Sequence, residues 1–317
     1  MSSSETASVV IEQRGALFQL RTWLSALRPE SFPVSVVPAL LGVAVAWERG
    51  YRIDPLLAVL TLAGAVAIHA ATNLLQDYFD FKSGLDREGT QGGSGVLVRG
   101  RATLRAILVA SVIFYAVSAA IAGYLVYTCG LTLAWIVAAG LVVGSIYAVP
   151  RYGLKYNLLG DVGVFAAFGI GITAGSYFVQ TGVLDIYPLY YAIPFGMLVV
   201  ALLHANNMRD ARDDFEAGLR NPAYRMGVGL SRAFYAVLVF GAYAALMAPV
   251  FLGIVPRGAM AVLITFPLAL KLVGNVLKAD FEERSALGSQ VGLTALLALT
   301  FGAMLVIGIV IFGLARG

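Results

Sequence analysis

Long apolar segments that carry almost no charge occupy most of this 317-residue chain. A helix needs about 20 mostly apolar residues to cross a bilayer, and nine segments meet that condition. They are residues 32–47, 56–76, 103–128, 130–148, 161–181, 187–206, 231–253, 257–276 and 291–315. The apolar runs are continuous rather than alternating, which favours helices over the strands of a membrane barrel. The sequence therefore predicts an all-α, polytopic transmembrane bundle of about nine helices.

Composition and domain organisation agree with that prediction. Hydrophobic residues make up 59% of the chain and charged residues only 13%, whereas soluble domains carry roughly 25% charged residues. Residues 1–31 are predicted to form a cytoplasmic N-terminal segment, in which 15–27 is a candidate interfacial helix with Trp23 at the headgroup level. Residues 32–317 are predicted to form a single membrane domain.

Charged residues are concentrated on one side of the predicted bundle. With a cytoplasmic N-terminus, 18 of the 22 Lys and Arg residues lie inside, and only Arg49, Arg52, Arg257 and Arg316 lie outside. This asymmetry follows the positive-inside rule. Fifteen of the 18 acidic residues also fall on the cytoplasmic side. The net charge of +4 suits a cytoplasmic leaflet, so the predicted partner is a lipid bilayer and not nucleic acid.

Two acid-rich motifs end the second and the sixth predicted helices, which run in the same direction. On helical spacing each motif presents one polar face. The first face holds Asn73, Asp77 and Asp80, with Gln76 at its margin, and the second holds Asn207, Asp210 and Asp214. Asp213 and Glu216 lie off the second face and are expected to be solvated. A shared motif indicates a parallel internal repeat, with chance similarity as the alternative.

The side chains of these motifs suit a divalent cation. Carboxylates this dense at the edge of a bilayer are costly unless a positive group lies among them. Carboxylate and amide oxygens favour Mg²⁺ or Ca²⁺ over zinc, and Mg²⁺ is usually held by one or two carboxylates together with phosphate oxygens. Two facing clusters would hold two ions with a diphosphate between them. The alternative is that each cluster is a solvated helix end.

Cations and aromatic rings lie near the motifs in the sequence. Basic side chains would stabilise the charge that grows on a diphosphate leaving group, although positive-inside bias alone also places them there. The candidates are Lys82, Arg151, Lys155, Arg209 and Arg225. Tyr147 is the preferred aromatic residue for stabilising an allylic carbocation. The glycine-rich segment 91–95 is predicted either to fold over a ligand or to be a plain linker.

Taken together, these motifs resemble those of the UbiA superfamily of intramembrane prenyltransferases. The superfamily's first aspartate-rich motif is matched by Asp77, Asp80 and Asp86, in the spacing D-x-x-D-x5-D. Its second is matched by the pattern that begins at Asn207-x-Arg209-Asp210. The string from Asp77 to Gly84 is similar to the 1,4-dihydroxy-2-naphthoate polyprenyltransferases of menaquinone synthesis. One departure is Gln76, where the family usually has Asn.

The resemblance implies a fold, a cofactor and a set of site residues. The implied fold is nine helices around a central cavity that opens to the cytoplasm and sideways to lipid. The implied ligands of Mg²⁺ are Asp80, Asp86, Asp210 and Asp214, with Asp77 assisting. The implied catalytic residues are Asp77, Asp80, Asp210, Asp214, Lys155 and Arg209. The implied diphosphate-binding residues are Asn73, Gln76, Lys82, Tyr147, Lys155, Asn207, Arg209 and Arg225.

The activity that the resemblance implies is transfer of a polyprenyl group from its diphosphate to an aromatic acceptor. The expected acceptor is 1,4-dihydroxy-2-naphthoate, a quinone precursor, and the expected location is a bacterial or archaeal inner membrane with the active site cytoplasmic. Other acceptors stay open as alternatives, namely 4-hydroxybenzoate, homogentisate, a tetrapyrrole or a lipid alcohol. Alternatives of another class are a cation-coupled transporter, disfavoured because the acids lie at helix ends and not at the midplane, and an inert lipid-binding protein.

Overall fold

The computed structural model describes residues 15–89, 93–147, 149, 152–157, 159–216, 218, 221–279 and 284–314. Ten main helices follow one another in these ranges, with short 3₁₀ helices at Pro29–Ser31 and Leu154–Asn157, and no strand occurs among the described residues. The main helices are α1 (Ala16–Leu27), α2 (Pro33–Glu48), α3 (Pro55–Lys82), α4 (Leu104–Cys129), α5 (Leu131–Tyr147), α6 (Gly160–Thr181), α7 (Leu189–Glu216), α8 (Pro222–Phe251), α9 (Arg257–Lys278) and α10 (Arg284–Leu314). Gln91 and Arg151 lie outside the described residues.

The all-α, membrane-spanning class predicted from the sequence is confirmed. Seven of these helices are long and apolar enough to cross a membrane. The segment Ala16–Ser31, which contains α1, and α2 meet the same criteria only together, as a pair bent by 52°, and this pair counts as an eighth span if it is taken as one. The remaining apolar helix, α5, is shorter at 17 residues. Within the described residues, α2–α10 thus correspond one to one with the nine apolar segments of the sequence.

The helices that carry the acid-rich motifs extend beyond their apolar segments. α3 continues to Lys82 and α7 to Glu216, so most of both motifs is helical. The predicted spans 187–206 and 231–253 leave the residues between them as a connection. Within that connection α8 begins at Pro222, because Asn221 caps its first turn by accepting hydrogen bonds from two backbone N–H groups. The helix is then kinked at Gly227, where φ is 71° and ψ is 167°. The end at which α3 and α7 terminate is called the acidic end.

A close crossing brings α6 and α7 together away from the acidic end. A Cβ added to Gly196 would lie 2.8 Å from the Cα of Gly169, so only glycine permits this approach. Gly169 lies in a π-helical stretch of α6, Phe165–Gly171. Such wide turns interrupt α-helices frequently at functional sites. The glycine pair lets the backbones approach as small residues do in other membrane bundles.

The interior of the bundle is divided into a packed part and an open part. The main hydrophobic core is built from α2, α7, α8, α9 and α10, with Tyr191, Phe195, Tyr235 and Phe301 fully buried. On the other side, α3, α4, α5 and α6 surround a cavity. The most extensive helix contacts are those of α3 with α4 and of α7 with α8. Each motif helix therefore packs chiefly on the helix that follows it, as a parallel repeat requires.

Candidate active site

The first group of carboxylates lies where α3 ends and the chain folds back. Gly84 adopts φ +77°, which favours glycine. The backbone N–H groups of Leu85 and Asp86 then both donate to the carbonyl oxygen of Asp80, at 2.9 and 3.2 Å. This turn returns Asp86 toward the helix. The side chains of Asp77, Asp80 and Asp86 are all buried there, with exposures of 2%, 2% and 8%.

Residues 93–95, the described part of the glycine-rich segment, contact these carboxylates. The Ser94 backbone N–H donates to Oδ1 of Asp77 at 3.2 Å, and the Ser94 hydroxyl donates to Oδ2 of the same side chain. Gly93 has φ +60°, and a Cβ added there would collide with Oδ2 of Asp86. Close approach to a carboxylate group thus requires glycine at this position. The sequence had left open whether the segment covers a site or is a linker, and its described part contacts the acidic side chains.

Lys155 connects the first carboxylate group to the second. Its Nζ lies 2.8 Å from Oδ2 of Asp80. Burial acts to lower the pKa of Lys155, but the adjacent Asp80 carboxylate outweighs burial, so the pKa is raised above its ordinary value and the ammonium stays charged. Lys155 also interacts electrostatically with Asp214 of α7. The other oxygen of Asp80, Oδ1, is buried and has no hydrogen-bond partner among the described residues.

The second carboxylate group lies on the last turns of α7. Arg209 holds Asp210 by two hydrogen bonds, Nε to Oδ1 and a terminal nitrogen to Oδ2, both at 2.7 Å. Asn221 donates to Oδ2 of Asp214 at 2.7 Å and to the carbonyl oxygen of Asn207 at 2.8 Å. Asn221 is itself buried, with 3% exposure. The cap of α8 therefore also orients a carboxylate of α7.

Both groups face one cavity of about 730 Å³. At the acidic end, the polar residues that line it include Asn73, Gln76, Asp80, Asp86, Tyr147, Lys155, Asn207, Arg209, Asp210, Asp213 and Asp214. Beyond them the lining is mainly apolar. It comes chiefly from α3, α4, α5 and α6, with Val199, Leu202 and Leu203 of α7, and reaches Leu184 at the opposite end of the bundle. The cavity therefore joins a charged mouth to an apolar interior.

The predicted site residues differ in their positions relative to this cavity. Asp77 lies behind the lining and contacts Ser94. Lys82 and Arg225 are absent from the lining that the described residues form, and the Lys82 ammonium lies 5.5 Å from the centre of the Tyr78 ring. Asp213, which the sequence predicts to be solvated, is half-buried and lies in the lining of the cavity mouth. The extension of α7 beyond the apolar segment carries this turn along the mouth.

Arg28 is a cavity-lining residue that the sequence reasoning did not select as part of the site. It has φ 55°, the only positive φ of a non-glycine residue in the part of the chain that the structure describes. Such strain persists where the surroundings over-determine it and is frequent at ligand sites. Arg28 forms no salt bridge within the described ranges. The sequence gives one indication of this irregular backbone, because Arg28 lies just before Pro29 and helices normally stop before a proline.

Ser94 and Asn221 also escaped the sequence reasoning, although each binds a carboxylate. Asn221 immediately precedes Pro222, and an Asn followed by Pro is a typical start of a helix. That signal predicts the cap, but the contact with Asp214 depends on how α7 and α8 pack. Ser94 lies in a flexible glycine context without periodicity, so nothing in the sequence indicates its contact with Asp77.

The carboxylates suit Mg²⁺, provided that the substrate supplies further oxygens. Every candidate donor is an oxygen atom, and Oδ1 of Asp80 is buried without a partner. Burial, and next the carboxylates of Asp80 and Asp77, raise the pKa of Asp86 to about 7. A bound cation would relieve this repulsion. No group of three acidic, His or Cys side chains in the described part could hold a metal by itself, as is usual for Mg²⁺ shared with phosphate.

Comparison with known proteins identifies a family. Residues 35–287 match the model of the UbiA prenyltransferase family. The UbiA prenyltransferase domain-containing protein 1 of Xenopus tropicalis is 32% identical over 290 residues, covering 90% of this chain and 82% of that protein. The protein of the same name from Rattus norvegicus is 36% identical over 225 residues, covering 70% and 66%. The range matched by the family model contains both acid-rich motifs.

Solved structures show the same fold at low sequence identity. An apo UbiA homolog from Aeropyrum pernix K1 has a TM-score of 0.65 at 17% identity, with 88% of this chain and 98% of that chain covered. A UbiA homolog from Archaeoglobus fulgidus bound to GPP and Mg²⁺ has a TM-score of 0.57 at 18% identity, with 90% and 99% covered. These likenesses establish the bundle architecture.

Proposed function

The chain belongs to the UbiA prenyltransferase family, and we propose that it transfers a polyprenyl group from its diphosphate to 1,4-dihydroxy-2-naphthoate. At the coarser level the chain is an integral membrane prenyltransferase of this family. The proposal adds the acceptor, the dependence on Mg²⁺ and the residues that act. The observation that carries it is the single cavity in which two carboxylate groups, from α3 and α7, face each other above an apolar interior.

The two carboxylate groups are proposed to hold Mg²⁺ together with the diphosphate. Asp80, Asp86, Asp210 and Asp214 would be its ligands, with Asp77 assisting. A solved relative of the same fold binds GPP and Mg²⁺, which supports this assignment. When bound, Mg²⁺ would neutralise the diphosphate and make it a better leaving group.

The cations of this chain are proposed to bind and orient the diphosphate. Lys155 stays charged beside Asp80, and Arg209 is fixed by its two hydrogen bonds to Asp210. Both would gain interaction energy as negative charge grows on the departing oxygen. Asn73, Gln76 and Asn207 supply amides to the same mouth. Lys82 and Arg225 stay predictions as diphosphate-binding residues, acting from the rim.

The reaction would proceed by loss of diphosphate and attack by the acceptor ring. The allylic C–O bond breaks, and its electron pair leaves with the diphosphate. The ring carbon of the dihydroxynaphthoate that bears the carboxylate then bonds to the allylic carbon. The bond from that ring carbon to the carboxylate breaks, its electron pair restores the aromatic ring, and CO₂ leaves. Tyr147, which lines the cavity mouth, is proposed to stabilise the allylic cation with its aromatic face.

An acidic aromatic acceptor suits the remaining charge at the mouth. Arg28 lines the cavity, has no salt bridge in the described part of the chain, and is fixed in a strained conformation. An arginine in this state can bind a carboxylate by two parallel hydrogen bonds. The motif strings that resemble dihydroxynaphthoate polyprenyltransferases favour the same acceptor. The name of the relatives specifies no acceptor, so this assignment rests on the chain's own residues.

The acidic end is proposed to face the cytoplasm. Arg49, Arg52 and Arg257 lie at the opposite ends of the helices, while most Lys and Arg residues accompany the acidic end. α1 packs Ala26 against α3 and exposes leucines along one face, and we propose that it lies in the membrane interface. A bacterial or archaeal membrane stays a prediction, because the two relatives compared by sequence are animal proteins.

An acceptor panel tests the proposed function. The purified protein in lipid nanodiscs is incubated with labelled geranylgeranyl diphosphate and either 1,4-dihydroxy-2-naphthoate, 4-hydroxybenzoate or homogentisate, with Mg²⁺ or with EDTA. We expect prenylated product from dihydroxynaphthoate only with Mg²⁺, at a mass that shows loss of the carboxyl group. Product from another acceptor alone would overturn the acceptor assignment. Absence of transfer to every acceptor would overturn prenyl transfer to an aromatic ring.

A further inference from the structure

The cavity extends through nearly the whole bundle. On α3 its lining runs from Asp80 to Thr61, a separation of nineteen residues that spans about 28 Å along the helix axis. This is close to the thickness of the hydrocarbon core of a bilayer, about 30 Å. Leu133 and Leu184 line its far end. A prenyl chain entering from the acidic end thus has a long path, and its permitted length depends on what narrows that path.

Three of the glycines that line the cavity, Gly144, Gly140 and Gly175, lie at increasing depth from the acidic end. A Cβ added to Gly144 would lie 3.2 Å from Oγ1 of Thr72, near the acidic end. A Cβ added to Gly175 would lie 3.3 Å from Cγ2 of Ile136, near the far end. At both positions a neighbouring side chain already occupies the space next to the glycine. Both glycines therefore mark places where the helices touch.

Gly140 differs from these two, because nothing lies within 4 Å of a Cβ added there. It lines the cavity on the same face of α5 as Ile136 and Gly144. It lies seven residues from Tyr147, about 10 Å along the helix axis. A side chain at this position would therefore project into the path itself, at an intermediate depth, without displacing a neighbour.

We propose that the missing side chain of Gly140 sets the prenyl length that this protein accepts. The inference rests on the proposed function, since it concerns the tail of the same substrate. Chains that end before Gly140 do not meet this position, whereas longer chains must pass it. Burial of each methylene group raises the binding constant by about fourfold. A side chain at position 140 that displaces one isoprene unit would therefore lower the affinity for long chains by more than about tenfold.

The test compares substitutions on two faces of the bundle. Gly140→Leu places a branched side chain in the path, and Gly140→Ala adds only a methyl group. Gly123→Leu is the matched control, because Gly123 lies inside α4, is exposed on the outer surface, and also has no atom within 4 Å of an added Cβ. Leucine is favoured over glycine in a helix, so the folding of these variants is not expected to suffer.

Binding is measured with Mg²⁺ and the unreactive thiolodiphosphates of dimethylallyl, geranyl, farnesyl and geranylgeranyl alcohols, by the protection each gives against thermal unfolding. We expect Gly140→Leu to bind the shorter analogues like the wild type and to lose more than tenfold in affinity for the longest. Gly140→Ala and Gly123→Leu should keep the wild-type length profile.

The possible failures are distinguishable. An unchanged length profile in Gly140→Leu, or an equal loss for all lengths, would overturn the role of Gly140 while leaving the proposed function standing. If the wild type bound none of the analogues in Mg²⁺, the proposed function itself would fail. No acceptor is needed for either measurement, so an error in the acceptor does not affect the result.

Discussion

Individual carboxylates of this protein are held in place by single, identifiable partners. Lys155 contacts one oxygen of Asp80, and the other oxygen is buried without a partner. Asp77 accepts a hydrogen bond from Ser94, and Asp210 forms an ion pair with Arg209. A buried carboxylate that keeps one oxygen free is costly unless a ligand completes its contacts. At this scale, the side chains are arranged for a positively charged ligand that binds between them.

Replacement of Asp80 by Asn is expected to abolish turnover. The Asp80→Asn side chain keeps the size of the native residue but removes the charge that faces both Lys155 and the diphosphate site, and the loss should be at least ~10²-fold. Turnover of the prenyl diphosphate and the melting temperature are measured together. Asp185→Asn, near the opposite end of the bundle, is the matched control and should retain activity. Mg²⁺-dependent turnover in Asp80→Asn at the wild-type rate would remove Asp80 from the mechanism.

The sequence allowed the spacing of the acids to be predicted, but not their partners. The helical repeat alone places Asn73, Asp77 and Asp80 on one face of α3. Arg28 and Ser94, by contrast, reach the site from irregular segments before and after that helix. Their positions depend on one strained backbone angle and on positive-φ glycines, and neither leaves a periodic pattern in the sequence.

At the scale of helices, the start of α8 couples folding to the site. Asn221 accepts hydrogen bonds from the N–H groups of Ala223 and Tyr224, and its amide donates to Asp214 and Asn207. One side chain thus caps α8 and orients the carboxylate on α7. Hydropathy could predict neither the end of α7 nor the start of α8, because it measures the extent of the apolar segment and not the residue at which a helix begins or ends.

The two roles of Asn221 are separable by substitution. Asn221→Ser is expected to retain the cap of α8 but lose the contact with Asp214, whereas Asn221→Ala should lose both. Loss of the cap costs about 1 kcal/mol, so only the alanine variant should have a clearly lower melting temperature. Both should weaken the apparent affinity for Mg²⁺ by ~10–100-fold, as loss of a residue that orients a metal ligand does. Wild-type Mg²⁺ dependence in Asn221→Ser would show that the contact with Asp214 is only structural.

At the scale of the whole molecule, the bundle is packed on one side and open on the other. The nine apolar segments could be predicted from composition and length, and the helices confirm them. The position of the cavity could not, because it depends on which side chains are too small to fill the space between α3, α4, α5 and α6. Glycines are spread through the chain, and only the assembled helices show which of them, such as Gly140, border open space.

The central claim is that the carboxylates of α3 and α7 act on one diphosphate. A structure of the protein with Mn²⁺ and geranylgeranyl thiolodiphosphate, with the metal located by its anomalous scattering, tests this most directly. We expect metal density between Asp80 and Asp214 with the diphosphate bound to it, and the prenyl chain running past Gly140. Metal bound by one carboxylate group alone, or a diphosphate outside this cavity, would contradict the claim.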